Sequence, residues 1–140
     1  MKTIVPDASV LLKWVLKDDE AHRGKALSIL SLWLEGKCDI ILPSLWLFEV
    51  GSIISRREPS LAKDIMKKFL GYEFTEIKIT EPLLSLIMEL VNDKRVTFYD
   101  AAYHAAAIYK HGIFITADNK YYKKAKDRGC IQLLSNFTQI

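Results

Sequence analysis

Four carboxylates, Asp7, Glu49, Asp100 and Asp118, stand among residues that would ordinarily exclude charge. Asp7 follows the apolar run Thr3–Val5, with only Pro6 between them, and Asp118 follows the run Ile113–Thr116. Glu49 interrupts Leu45-Trp46-Leu47-Phe48-Glu49-Val50, and Asp100 opens the small-residue stretch Asp100-Ala101-Ala102-Tyr103-His104-Ala105-Ala106-Ala107. A buried carboxylate needs a cation or a hydrogen-bond partner. Two of them about 4 Å apart repel by about 4 kcal/mol at an effective dielectric of about 20. Four converging acids therefore take up protons or recruit a divalent cation. Oxygen donors without His or Cys select a hard ion, Mg²⁺ or Mn²⁺. An acidic pocket of that kind, rimmed by lysines, suits hydrolysis of a phosphodiester.

Each acid also has a purely structural reading. Asp7 and Asp118 can cap the helices that follow them, and Asp100 lies three residues after Thr97, the spacing of a capping box. Glu49 lies too far inside its predicted helix to cap it, which leaves an ion pair with Lys13 or Arg57 as its structural alternative.

The elements that would carry these acids alternate between strand and helix. Strands are predicted at Thr3–Val5, Ile40–Leu42, Ile113–Thr116 and Ile131–Leu134, all short apolar runs. Phe74–Ile79 alternates apolar and polar residues and reads as a half-exposed edge strand. Helices are predicted over Ala8–Leu16, Glu20–Gly36, Ser44–Arg57 and Ser60–Leu70, the last two capped by their serines. Further helices start near Pro82, run over Phe98–His111 with a stop at Gly112, and form a basic segment over Asn119–Arg128. This order predicts the α/β class, a three-layer α/β/α domain with a central parallel sheet spanning 1–140. In such sheets ligands bind beyond the carboxyl ends of the strands, where strand order reverses.

Composition sets the boundaries. The chain has 140 residues, half of them apolar and 26% charged, which excludes a disordered chain. No apolar run approaches the roughly 18–20 residues that a bilayer span requires. Pro6 and Asp7 break the only N-terminal apolar run, so no signal peptide is expected and the predicted location is the cytoplasm. Cys38 and Cys130 lack metal or disulfide-scaffold spacing and read as two inert thiols. The net charge of +3 is mild, but Lys120, Lys123 and Lys124 follow the last acid with Tyr121 and Tyr122 among them. These form either a solvated face or a rim that holds phosphates and stacks bases. His104, one turn after Asp100, is expected to take a surface or core-satisfying role rather than to enter the site. Trp14, Trp33 and Trp46 read mainly as core, with Trp14 and Trp46 as candidates to line a groove for a partner's amphipathic helix.

The stretches VPDASVLLKW, PSLWLFEVGS, VTFYDAAYHAAA and IFITADNKYYKK, in that order, resemble the four acidic motifs of PIN-domain nucleases, and most of all those of VapC-type toxins. The resemblance covers essentially the whole chain and is most specific at Tyr-Asp-Ala-Ala-Tyr and Thr-Ala-Asp. It implies a parallel sheet of order 3-2-1-4-5. It also implies that Asp7, Glu49, Asp100 and Asp118 are the catalytic, metal-binding acids, with Ser9 and Thr116 as supporting hydrogen-bonding residues. The implied activity is Mg²⁺- or Mn²⁺-dependent endonucleolytic cleavage of RNA, leaving a 5′-phosphate and a 3′-hydroxyl. A protein antitoxin and a homodimer are the implied partners. Asn119 and Lys120 occupy places where many members carry a further acid, so one tightly held ion is expected, with another arriving with substrate.

Other readings compete. A phosphate-accepting receiver domain would need an acidic pair after the first strand and a Lys after a late one, and this sequence has neither. A PIN domain kept as a catalytically silent scaffold, or one processing RNA or acting on DNA without an antitoxin, shares the same motifs.

Overall fold

The computed structural model describes residues 1–138. Five parallel strands form one sheet in the order β3-β2-β1-β4-β5: β1 Lys2–Pro6, β2 Cys38–Pro43, β3 Thr75–Ile77, β4 Ile113–Thr116 and β5 Ile131–Leu133. Ile4, Val5, Ile40, Leu42, Phe114 and Ile115 are almost entirely buried, as central parallel strands require with helices on both faces. The short β3 is the edge strand expected around Phe74–Ile79. Thr75 and Glu76 are exposed there, and Glu76 accepts the Trp46 indole N–H at 2.6 Å.

Seven α-helices connect the strands: α1 Ala8–Leu11, α2 Arg23–Leu34, α3 Trp46–Arg57, α4 Ala62–Tyr72, α5 Glu81–Lys94, α6 Phe98–Tyr109 and α7 Asn119–Ala125. Helix α6 explains its own alanines. Tyr103, Ala106 and Ala107 pack in the main core with the sheet, while Ala101, Ala102 and Ala105 meet Leu83, Ile87 and Leu90 of α5. Every residue from Ala101 to Ala107 is buried, since a helix caught between sheet and helix has no wet face.

Several predicted boundaries shift for identifiable reasons. Helix α1 gives way after one turn to a 3₁₀ turn over Leu12–Trp14, whose end is capped by the Arg23 guanidinium donating to the Lys13 and Leu16 carbonyls. Ser44 does not cap α3: the N-cap position falls to Leu45, one residue further on, and the Ser44 amide donates to the Ile77 carbonyl at the end of β3. Ser60 likewise lies outside α4, where the N-cap position falls to Leu61. Gly112 is not the residue that stops α6. His111 takes the left-handed conformation (φ 56), and the Gly112 and His111 amides close on the Ala107 and Ile108 carbonyls in a Schellman turn. Gly112 is required for a different reason: a Cβ there would lie 2.7 Å from the Thr3 carbonyl oxygen of β1. The basic segment after β4 ends as α7 at Ala125 and continues as a 3₁₀ turn over Lys126–Arg128.

Trp46 is buried and lines no groove, whereas Trp14 and Trp33 are half-buried. Trp14, Trp33, Trp46, Phe69, Tyr72 and Phe74 form one aromatic cluster, in which Trp46 is 3% exposed. The Trp14 indole N–H is already used by the Ala26 carbonyl at 2.8 Å. Both thiols are free, Cys38 in the core and Cys130 exposed. Among the described residues no helix is long and apolar enough to cross a membrane.

Candidate active site

Strand order turns between β1 and β4, and the crevice beyond their carboxyl ends is where this sheet architecture binds ligands. Asp7 is the residue immediately after β1. It caps α1 by accepting the Val10 amide at 3.3 Å, so the structural reading of this acid is correct and incomplete. Its carboxylate also accepts two hydroxyl groups at 2.5 Å each, Ser9 on Oδ1 and Thr116 on Oδ2. Each hydroxyl is itself an acceptor: Ser9 takes the Ala117 amide and Thr116 takes the Asp118 amide, both at 3.0 Å. The two residues thereby tie the end of β1 to the turn after β4 and fix both oxygens of Asp7.

Asp118 caps α7, with Oδ1 accepting the Lys120 and Tyr121 amides at 2.9 and 3.1 Å. Asp100 lies in the first turn of α6, where its amide donates to the Thr97 hydroxyl at 3.2 Å. Glu49 lies in the first turn of α3 rather than deep in that helix. Neither cation expected beside it is its partner: Lys13 pairs with Asp19 at 2.6 Å and Arg57 with Asp18 at 2.9 Å. The Tyr103 hydroxyl donates to Glu49 Oε1 at 2.9 Å instead. Pattern reading does not single out Tyr103 as a member of this arrangement. Its position one turn beyond Asp100 on a helix is the available signal.

The four acids come together. Asp7, Glu49, Asp100 and Asp118 line one cavity of about 210 Å³ with Ala8, Ser9, Leu12 and Ile53. Burial raises the Asp7 carboxyl to about 7, against the hydroxyls of Ser9 and Thr116, which favour its charged form, and with the Asp100 charge adding to the rise. Glu49 is raised by burial and then by Asp100, with Tyr103 acting in the opposite sense. Asp100 is raised by burial, restrained by the Thr97 hydroxyl and pushed further by Asp118. Asp100 is thus the carboxylate through which the other three repel one another.

Among the described residues no three His, Cys, Asp or Glu side chains form a complete metal cage. The donor set nevertheless fits a hard cation. Mg²⁺ typically takes one or two carboxylates and leaves the rest of its shell to water and substrate oxygens. Carboxyls raised by burial and further by one another's charge are also those a divalent charge would return to the ionised form.

The remaining predicted residues divide. Lys120 and Lys124 line a second cavity adjoining the first, whereas Lys123 lines neither. Tyr121 is buried and therefore no stacking platform. His104 points away from the acids, with Nδ1 accepting the Tyr121 hydroxyl at 2.8 Å and Nε2–H donating to the Gly129 carbonyl at 2.7 Å. Burial lowers its pKa, which keeps the ring neutral.

The PIN-domain family model matches residues 4–127. The chain belongs to the PIN-domain family. That family is one of nucleases, and at this level membership agrees with the chemistry of the four acids. Solved structures share the fold at low identity. FitAcB from Neisseria gonorrhoeae superposes with a TM-score of 0.72 at 15% identity, covering 96% of this chain and 99% of that one. A toxin–antitoxin complex from Klebsiella pneumoniae gives 0.69 at 14%, over 94% and 97% of the two chains. VapC20 of Mycobacterium tuberculosis, a sarcin–ricin loop cleaving toxin, gives 0.65 at 18%, over 98% of each. No curated protein sequence matches the chain.

Proposed function

We propose that this PIN-domain protein is a Mg²⁺- or Mn²⁺-dependent endoribonuclease, working as one domain over residues 1–140 with Asp7, Glu49, Asp100 and Asp118 as its catalytic and metal-holding acids. The observation that carries the proposal is the lining of a single cavity by all four acids at the β1/β4 crevice. Asp7 and Asp100 would hold the ion, with Glu49 and Asp118 completing its surroundings. The ion, when bound, orients and acidifies the attacking water and stabilises charge on the phosphate. Ser9 and Thr116 keep Asp7 from turning, so its remaining lone pairs stay aimed at the cavity. Tyr103 occupies one oxygen of Glu49 and leaves the other available. Asp100, raised in the metal-free site, would be ionised beside a bound cation, and one of the four carboxylates would accept the proton the water gives up. The water oxygen would bond to phosphorus as the bond to the 3′-oxygen breaks, and the 3′-oxygen would take a proton from solvent, leaving a 5′-phosphate and a 3′-hydroxyl.

The biological reading we favour is the toxin of a toxin–antitoxin pair, acting in the cytoplasm as a homodimer and silenced by a protein antitoxin. Its support is the fold likeness to proteins described as toxins or toxin–antitoxin complexes. Cleavage of a mixed cellular RNA pool with Mg²⁺ or Mn²⁺, comparing wild type with Asp100→Asn and including single-stranded DNA as a parallel substrate, tests it. Discrete metal-dependent RNA fragments made only by the wild type are expected. Cleavage of DNA alone, or equal cleavage by both proteins, would overturn the assignment.

A further inference from the structure

The acidic cavity shares Asp100 and Asp118 as a common wall with a second cavity of about 170 Å³, lined also by Arg95, Thr97, Lys120 and Lys124. Three cations therefore stand directly beside the acids. None of them has a carboxylate within 4.0 Å among the described residues, whereas nearby Lys94 and Arg128 are matched by Asp127 and Glu89. Lys124 Nζ donates to the Arg95 carbonyl at 3.1 Å, which ties α7 to the segment after α5 and leaves two further ammonium protons for a ligand. Arg95 occupies the residue after α5 in the left-handed conformation (φ 54, ψ 52), where glycine is the usual choice.

We infer that this second cavity is a phosphate subsite for the nucleic-acid chain, holding the phosphate next to the one cleaved at the acids. The inference rests on the nuclease reading above. A backbone crossing the Asp100–Asp118 wall leaves a carboxylate surface that needs a cation and enters one that already has three. The Arg95 guanidinium offers a planar pair of donors for two phosphate oxygens, while the Lys120 and Lys124 ammonium groups act as point charges. Contacts of this type set register along the strand without reading base identity. The subsite therefore fixes which bond reaches the acids relative to its neighbour, and leaves sequence choice to other contacts.

Fluorescence anisotropy of a labelled oligouridylate of about eight residues, long enough to cross both cavities, tests this in Ca²⁺ over a series of KCl concentrations. Arg95→Gly is the informative variant, because glycine suits the left-handed backbone and keeps the carbonyl that anchors Lys124. Relative to wild type it is expected to bind several-fold more weakly. The slope of log affinity against log salt should be shallower by about 0.7, the value for one phosphate that is no longer neutralised, with an unchanged or higher thermal midpoint. Lys120→Gln, at an exposed side chain, should flatten the slope in the same way, while Lys67→Ala on α4 should not. Wild-type binding with an identical slope in Arg95→Gly and Lys120→Gln would overturn the subsite and leave the nuclease reading standing. Failure of the wild type itself to bind the oligonucleotide would remove the RNA reading and the subsite with it.

Discussion

The Thr116 hydroxyl reaches Asp7 Oδ2 at 2.5 Å across 109 residues of chain, and the same hydroxyl oxygen receives the Asp118 amide at 3.0 Å. One side chain thus sets the position of one acid and the backbone that presents another. Thr116→Val keeps the shape and removes both hydrogen bonds. A hydrogen bond to a charged group contributes about 1.5–3 kcal/mol, so cleavage should fall roughly 10- to 100-fold. The pH profile should move to higher pH as Asp7 loses a partner for its ionised form. Thr116→Ser should restore both, and an unshifted profile in Thr116→Val would remove the residue from the site.

Metal-free protein should become less stable as pH rises from about 4 to about 7. Asp7 moves from 3.8 when unfolded to about 7 when folded, so over that window the native state binds the extra proton and stability falls with pH. The swing is on the order of 4 kcal/mol at about 1.4 kcal/mol per unit. His104 acts in the opposite sense. Its lowered pKa contributes stability that is present above 6.5 and lost as pH falls. Thermal midpoints in EDTA, compared between wild type and Asp7→Asn, isolate the Asp7 contribution. Mn²⁺ should reverse the slope in wild type, and a midpoint that ignores Mn²⁺ at a pH of about 8, where the Asp7 carboxyl is ionised, would count against a metal site.

Tyr103→Phe deletes the hydroxyl that holds Glu49 Oε1 while leaving the ring stacked on Phe114. The fold should persist at a cost of about 1 kcal/mol. Mn²⁺ affinity, read by isothermal titration, should drop several-fold, as it should in Glu49→Gln. The two changes together should weaken binding little more than Glu49→Gln alone, because Tyr103 acts on the metal only by positioning Glu49. Full additivity would show that Tyr103 and Glu49 contribute separately.

His104→Leu should separate structure from chemistry on α6. It strands the buried Tyr121 hydroxyl, now satisfied by the ring, at a cost of about 1–3 kcal/mol, while the carbonyl of exposed Gly129 can turn to water. Denaturant melts should record that decrease while Mn²⁺ affinity per folded molecule stays unchanged. Absence of Mn²⁺ binding in folded protein would return His104 to the site.

The sheet and the four acids are legible in the sequence because each leaves a local mark. Buried parallel strands are short apolar runs, and an acid within or beside such a run stands out, as Asp7 and Glu49 do. What escapes a reading of the sequence depends on partners remote along the chain. Ser44 has the right type for a cap, yet α3 starts one residue later, with Leu45 at the N-cap, and the Ser44 amide pairs with Ile77 of β3. Glu49 has cations within plausible reach, yet its partner is a tyrosine 54 residues away. Tyr121 and Tyr122 alternate with lysines in the pattern of a base-stacking surface, and only packing reveals that Tyr121 faces inward. Arg95 bears no sequence mark at all, because its place beside Lys120 and Lys124 comes from the path of the chain between α5 and α6.

The double tie of Ser9 and Thr116 to Asp7 also makes the site depend on β4 being in place. A chain broken off, or still being made, ahead of β4 has Asp7, Glu49 and Asp100 but neither Thr116 nor Asp118. Without the fourth strand docked beside the first, Asp7 keeps only the nearby Ser9 hydroxyl and Val10 amide, and the cavity lacks a wall. Under the proposed function, a chain lacking β4 would therefore carry an incomplete acidic site.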